Sequence, residues 1–328
     1  MNEAASKNLI FTQPSAPSVE QVITGKRMAV VINGSAGSCI AESPYAQQQR
    51  LAEYFVEAGL KAEIYWVEPA KLLSVIEDLK ESGVDIIVLG GGDGTINSAA
   101  NALVGTDVAL GVLPLGTFNH FAKDLGMPLP LEEAIRALAK GTVQSIDVGE
   151  VNGRVFVNNA SIGIYTYAVR RRDIYRQQLG LGKLAAMGYA LLGALWRLPV
   201  MRIWLQINGR REFMKTPFIF VGNNRYEAEP FAFLRRRLLN EGLLSVFYTR
   251  RMRRWALFKI VFQTLLGRMQ KAPELEKFWT EEVRIEISRK RLKLVMDGEV
   301  VPVQPPLMFC VRRGVLRVVM PHKKMDKD

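Results

Sequence analysis

The first half of the chain alternates apolar blocks with polar breaks. Arg27-Met28-Ala29-Val30-Val31-Ile32 reads as a strand, and Asn33-Gly34-Ser35-Ala36-Gly37-Ser38 as the turn after it. Leu51, Tyr54, Phe55 and Ala58 share one face at helical spacing, which predicts a helix over Gln47 to Ala58. Ala62 to Val67 predicts a second strand, and Pro69 to Glu81 a helix that Gly83 ends. An apolar run of strand length follows Asp85, breaks at Gly90-Gly91-Gly92, and gives way to helical spacing from Ile96 to Val104. The run from Leu110 repeats the scheme of strand, Gly/Thr/Asn turn and helix start, and Leu131 to Lys140 is a further helix stopped by Gly141. Strand and helix in alternation predict a parallel sheet with right-handed crossovers.

From Val143 the period changes. Val143 to Asn159 reads as two strands around Asn152-Gly153, a strong hairpin signal. Short strands follow at Met201–Ile207, Phe213–Val221, Leu243–Tyr248, Val283–Ile287, Leu292–Met296 and Met308–Val311. The fold class expected is α/β plus β: a Rossmann-like parallel-sheet domain, then a mainly antiparallel β-sandwich domain. Residues 1–26, rich in Ser, Ala, Pro and Gln, read as a flexible leader, with 27–141 and 142–328 as the two domains. Val315–Met320 is a last strand able to return to the first domain. Two helical segments interrupt the strands, Tyr165 to Arg197 and Arg250 to Leu266, both mixing basic with apolar residues. Such helices suit either a membrane interface or a core with a cationic outer face.

Charge sharpens the division. The net charge is +12, yet residues 26–149 hold 9 basic and 15 acidic residues, against 34 and 15 in residues 150–328. A basic half implies a polyanionic surface as partner, and no recognisable nucleic-acid module accompanies it. Two cysteines, Cys39 and Cys310, and only two histidines make a zinc site improbable and read as reduced thiols. Leu184 to Trp196 is too short to span a bilayer. The expectation is a cytoplasmic protein, peripherally associated with membranes.

The glycine turn carries the chemistry. A buried strand, a glycine turn and a helix N-terminus make an anion site, and glycines there can take positive φ and admit phosphate oxygens to backbone N–H groups. Asp93 inside that turn points to a Mg-nucleotide site or to a base aimed at an acceptor hydroxyl. The spacing is neither G-x-x-x-x-G-K-[ST] nor G-x-G-x-x-G. Asn33, the Gly90–Thr95 turn and the Gly116–Asn119 turn all fall at strand carboxyl ends, where ligands of such sheets bind. Farther on, Asp297-Gly298-Glu299 ends a strand as a carboxylate pair on a tight turn, a hairpin or a proton-transfer or metal site.

Gly-Gly-Asp-Gly-Thr at 91–95 followed by Pro-Leu-Gly-Thr-Phe-Asn-His-Phe-Ala at 114–122 resembles the lipid-kinase family of diacylglycerol kinases, sphingosine kinases and their bacterial relatives; NAD kinases share the first motif. The resemblance implies a lipid kinase using ATP and Mg²⁺, with a lipid acceptor, an anionic membrane surface as partner and a homodimer as a further option. It implies nucleotide contacts by Asn33, Gly91, Gly92, Gly94, Thr95, Asn97, Thr117 and Asn119. It gives Asp93 the metal or the proton and makes Glu299 the base, with that division left open. His120 stands where the family has aspartate, and reads as packing at the helix start or as a phosphate partner. Tyr65 and Trp66 stand near a position that is often threonine. Glu241 and Ser245 replace two carboxylates that in some relatives help to hold a structural magnesium ion, leaving Glu241 as its remaining candidate ligand. Lys123 and Asp124 read as a solvated helix face. A NAD kinase-like enzyme and a nucleotide- or membrane-binding regulator are the alternatives.

Overall fold

The computed structural model describes residues 21–23, 25–35, 44–167, 169, 171, 193, 200–207, 209–229, 232–236, 238–249 and 275–322. The alternation expected of the first half is present. β1 (Gln21–Val22) and β2 (Met28–Asn33) precede α1 (Pro44–Glu57), β3 (Ala62–Val67) and a 3-10 turn at Pro69–Lys71 that runs into α2 (Leu72–Glu81). Then come β4 (Ile86–Gly91), α3 (Asp93–Leu103), β5 (Ala109–Pro114), α4 (His120–Asp124) and α5 (Leu131–Ala139). β3, β2, β4 and β5 lie side by side in that order, all parallel. Every residue of β4 and β5 is buried, which is why both read as unbroken apolar runs rather than alternating ones.

β6 (Thr142–Val151) and β7 (Arg154–Phe156) form the hairpin at Asn152-Gly153, whose φ values of 48° and 79° are those of a tight primed turn. After β8 (Asn159–Gly163) come β9 (Met201–Ile207), β10 (Arg210–Thr216), β11 (Phe218–Asn223), β12 (Tyr226–Glu229), β13 (Ala232–Arg236) and β14 (Leu244–Tyr248). β15 (Glu276–Thr280), β16 (Glu282–Ile287), β17 (Leu292–Met296), β18 (Glu299–Val303) and β19 (Leu307–Met320) complete the described chain. One sheet runs β10-β9-β16-β19-β5-β4-β2-β3, and an antiparallel sheet runs β15-β14-β11-β8-β17-β18. A second core that includes Ile162, Ile203, Val221, Ile285 and Leu294 belongs to these two sheets. The antiparallel second half expected from the sequence is therefore present. β19 joins it to the first: it pairs antiparallel with β16 and β6, and Val318 pairs parallel with Leu110 of β5.

Several boundaries differ from the sequence reading. Phe213–Val221 is not one strand. Pro217 has no N–H for a ladder, so the run divides into β10 and β11, which lie in different sheets. Met308–Val311 and Val315–Met320 are one strand, with a register shift between Arg312 and Leu316 and Gly314 at φ 61°. Residues 21–23, read as leader, are part of the fold: Gln21 pairs with Val143, and Ile23 is buried in the first core. The helical segments expected over 165–197 and 250–266 fall almost wholly outside the described residues, as does Cys39.

Buried charge ties the two halves together. Arg236, fully buried at the end of β13, donates from Nε and Nη2 to Asp124 Oδ2 at the end of α4 (3.0 and 2.6 Å). The same guanidinium donates to Val157 O (2.5 Å) and to Asn158 Oδ1 (2.8 Å), and lies over the Tyr226 ring. Asp124 is therefore no solvated residue; its side chain is 12% exposed and neutralises a cation that follows it by 112 positions. Asp297 holds the adjoining segment. Its Oδ2 accepts the N–H of Val157 (2.8 Å), and its Oδ1 those of Asn158 and Asn159 (2.8 and 2.9 Å). Asp147 does the same elsewhere, accepting the N–H groups of Gly242 (2.6 Å) and Gly314 (2.8 Å).

Burial pushes the Asp297 carboxyl up to about 6, against the opposing pull of its three N–H donors and of Arg236. A carboxyl raised in the folded state contributes stability below its unfolded pKa, and that contribution is lost as pH rises through the folded value. Between pH 4 and pH 6 this loss should reach about 2 kcal/mol. Urea unfolding across that range should show Asp297→Asn without this part of the slope. Parallel profiles for variant and parent would mean that the carboxyl ionises alike in both states.

Candidate functional site

The site lies at the carboxyl ends of the parallel strands. β2 ends at Asn33, β4 at Gly91 and β5 at Pro114, and their following turns meet there. The helix after the glycine turn begins at Asp93, earlier than the apolar spacing suggested, because the first helical bond is Ile96 N to Gly92 O (3.1 Å). The N–H groups of Asp93, Gly94 and Thr95 thus precede the helical ladder and form the positive end of α3.

None of Gly90, Gly91, Gly92 or Gly94 takes a positive φ. Their common property is close approach. A Cβ on Gly90 would run into Ile32 and come within 2.9 Å of Leu115 Cδ1, and one on Gly91 would lie 2.7 Å from Thr95 Cβ. A Cβ on Gly116 would meet the Cα of Gly92, so the two glycine turns lie directly against each other. A Cβ on Gly94 would fall on Glu299 Oε1, with Glu299 Cδ at 3.3 Å. The acidic turn near the C-terminus therefore reaches the N-terminus of α3, beside Asp93.

Most of the residues singled out in the sequence gather here, by different means. Asn33 Nδ2 donates to Thr95 Oγ1 (2.8 Å), while its Oδ1 accepts the N–H of Ser35 (3.0 Å). The bond leaves the Thr95 hydroxyl proton available to a ligand. Asp93 Oδ1 accepts a long bond from Phe121 N (3.3 Å), which links the first turn to the helix after the second. Thr117 is exposed at the tip of the second turn. Asn119 is different: its Oδ1 accepts the N–H of Gly116 (2.8 Å), and its Nδ2 donates to Pro114 O and Gly116 O (3.1 and 2.9 Å). It sits at φ 51° and its amide shapes the turn. Asn97 lies one turn deeper, buried, with its Oδ1 accepting from Asn101 (3.2 Å). Asn101 in turn bonds the backbone of Val155 on β7. His120 is exposed and stacks on Phe118 at 5.5 Å, the packing role at a helix start.

The two carboxylates of Asp297-Gly298-Glu299 do not act as a pair. Asp297 (φ 47°) and Gly298 (φ 87°) form the turn between β17 and β18. The Asp297 carboxylate is taken by three backbone donors, whereas Glu299 is exposed and faces Gly94.

Glu241 is not drawn into this site. Its Oε2 accepts the N–H of Arg225 (2.9 Å), and the Arg225 Nε lies 3.7 Å from Oε1. Ser245 Oγ donates to Asn224 O (2.8 Å) and accepts from Tyr226 N (3.0 Å). A cation already stands beside the one remaining carboxylate, and no group of three His, Cys, Asp or Glu side chains suited to a metal occurs among the described residues. These residues do not fit a structural metal ion. At the edge of the parallel sheet, a cleft of about 590 Å³ is lined by Gln48, Tyr65, Trp66, Val67, Glu68 and Lys71. The Trp66 Nε1 is buried without a partner, and Val67 O accepts the N–H of Gly34.

Sequence reasoning missed Arg236. It stands within three consecutive arginines, 235–237, where nothing marks one of them as inward-facing.

Comparison with known proteins bears on the whole of this arrangement. Residues 27–151 match the diacylglycerol kinase catalytic domain, and residues 160–320 the YegS C-terminal NAD kinase beta sandwich-like domain. The Enterobacter sp. (strain 638) protein named "Probable lipid kinase YegS-like" is 30% identical over 178 residues, 52% of this chain and 58% of that protein. The "Probable lipid kinase YegS" of Escherichia coli O127:H6 is 28% identical over 193 residues, 57% of this chain and 63% of that protein. The aligned part of the chain thus spans about three fifths of these relatives. A crystal structure of a diacylglycerol kinase from Bacillus anthracis str. Sterne superposes with a TM-score of 0.67, at 18% identity, covering 90% of this chain and 97% of that one; it shows the fold. In succession over residues 27–151 and 160–320, the chain carries a diacylglycerol kinase catalytic domain followed by a YegS C-terminal NAD kinase beta sandwich-like domain.

Proposed function

We propose that the protein is an ATP-dependent lipid kinase that transfers the γ-phosphoryl group to a lipid hydroxyl. One observation carries the reading: the Glu299 carboxylate occupies the space that a Cβ on Gly94 would need, so a proton acceptor stands at the phosphate-binding end of α3. The N–H groups of Asp93, Gly94 and Thr95 and the Thr95 hydroxyl suit the phosphate oxygens. Glu299 takes the proton of the acceptor hydroxyl while that oxygen bonds to the γ-phosphorus. The bond from phosphorus to the bridging oxygen breaks in line, and ADP leaves.

The donor set also fits Mg²⁺. This ion uses one or two carboxylates and completes its shell with phosphate oxygens and water. A half-buried Asp93, beside two turns whose contact leaves no room for a Cβ, offers one such carboxylate. Bound there, the ion would screen charge on the phosphates. Catalysis would come from positioning and charge neutralisation. No helix of the described residues is long and apolar enough to cross a membrane. Peripheral association with an anionic membrane, from the cytoplasm, is the setting we propose.

Labelled ATP incubated with the protein and a total lipid extract should yield a labelled lipid, with NAD as a comparison acceptor. Asp93→Asn and Glu299→Gln should each lower turnover by about 10²-fold or more with an unchanged unfolding midpoint. Full activity in either removes that residue from the chemistry. Gly94→Ala should lower kcat by on the order of tenfold or more through displacement of Glu299, with little change in the KM for ATP. A rise in that KM at constant kcat would put the damage at the phosphates instead.

A further inference from the structure

We infer that the outer face of the β9–β10–β16 sheet edge is an anionic-membrane docking surface. Along β9 the inward residues Ile203 and Leu205 are buried, while Trp204 between them is 42% exposed. Trp204 stands opposite Phe213 of β10, which is 48% exposed, with their rings 5.2 Å apart. On the same face Glu286 stands opposite Trp204, Arg284 opposite Met308, and Met308 is 46% exposed. Trp204 and Phe213 thus face outward side by side on adjoining strands whose other faces fill the second core, while Met308 on β19 lies beyond β16 on the same face. Contiguous exposure of this kind marks a contact surface.

Charge around the patch selects the partner. Arg202 pairs with Lys215 across the hairpin and Gln206 with Arg211, so these three cations share the aromatic face. Arg284 is the fourth. Glu286 lies among them, bonded by Arg211 (2.5 Å) and Arg284 (3.0 Å), and Glu282 stands on the same face of β16, so the cations outnumber the carboxylates by four to two. Tryptophan and phenylalanine at headgroup depth with lysine and arginine beside them is the chemistry of an anionic bilayer surface. A second copy of the chain fits less well, because a twofold contact would set like cations against each other. Single-stranded nucleic acid would need open ring faces, and the Trp204 ring is covered by Arg211, with Cζ 4.6 Å from its centre.

This inference rests on the membrane association proposed above, and its test needs no phosphotransfer. The full chain is sedimented without ATP in the presence of phosphatidylcholine vesicles, with and without phosphatidylglycerol. The parent should bind only the anionic vesicles, more weakly as salt rises. The double variant Trp204→Ser/Phe213→Ser should lose on the order of tenfold in binding, and Arg202→Gln/Lys215→Gln should lose a similar factor with a flatter salt dependence. Both should keep the parent's unfolding midpoint and its activity on detergent-dispersed lipid. Undiminished vesicle binding by the aromatic variant overturns the inference, as does equal binding of the parent to neutral vesicles. A dimer by light scattering that the aromatic variant abolishes, with vesicle binding intact, would assign the face to a second copy and equally overturn it. Vesicle binding kept by the aromatic variant, with the parent active on dispersed lipid, overturns the docking face alone, whereas a parent inactive on dispersed lipid overturns the kinase reading.

Discussion

A buried guanidinium is tolerated only when every side of it is answered, and Arg236 is answered from both halves of the chain. Burial works against its charge, yet the carboxylates of Asp124 and Asp297 oppose that and help hold the cation charged. Asp124 closes the helix that follows the second glycine turn, and Val157 and Asn158 belong to the segment entering β8. Removing one partner would leave a charge in the core, which costs far more than an ordinary lost hydrogen bond. The two halves are therefore fixed relative to each other at the level of single side chains, close to where the glycine turn and the acidic turn meet.

The same constraint explains how residues of one short turn come to different ends. Asp297 lies two positions before Glu299, and its carboxylate is consumed by the N–H groups of residues 157–159. Those residues are also the ones Arg236 holds. Anchoring Asp297 fixes the turn, and the fixed turn carries Glu299 to Gly94. One acid builds the platform and the other stands on it. A metal shared between the two would require Asp297 to give up three short bonds.

The parallel half was legible because its strands are buried on both faces and its helices on one. Continuous runs such as Ile86–Leu89 and the spaced Leu51 and Phe55 follow from that alone. The second half was less legible where a single residue overrules a pattern. Pro217 sits inside an apolar run and sends its two sides into different sheets, while β12 has no apolar run and β13 only the short Ala232-Phe233-Leu234 before its arginines. In the site, Asn33, Asp93, Gly94, Thr95 and Glu299 were legible from motif and strand-end position. The reason for the glycines was not: left-handed backbone and close packing ask for the same residue, and only coordinates separate them. Asp124 and Arg236 were illegible because neither has a local partner to betray it.

Departure from a family pattern was visible in the sequence, whereas its compensation was not. Glu241 and Ser245 together carry less negative charge than the two carboxylates that the resemblance implies at these positions. A site that has lost charge can no longer repay the dehydration of a divalent ion. Arg225, packed against Trp279 and 3.7 Å from Glu241, supplies the positive charge that such an ion would bring. A guanidinium tethered to the chain needs no free metal concentration and pays no binding entropy, which sets it apart from an ion as a partner for Glu241. At the N-terminus of α3 the contrast is plain, since the half-buried carboxylate of Asp93 accepts a bond from the N–H of Phe121 rather than from a guanidinium.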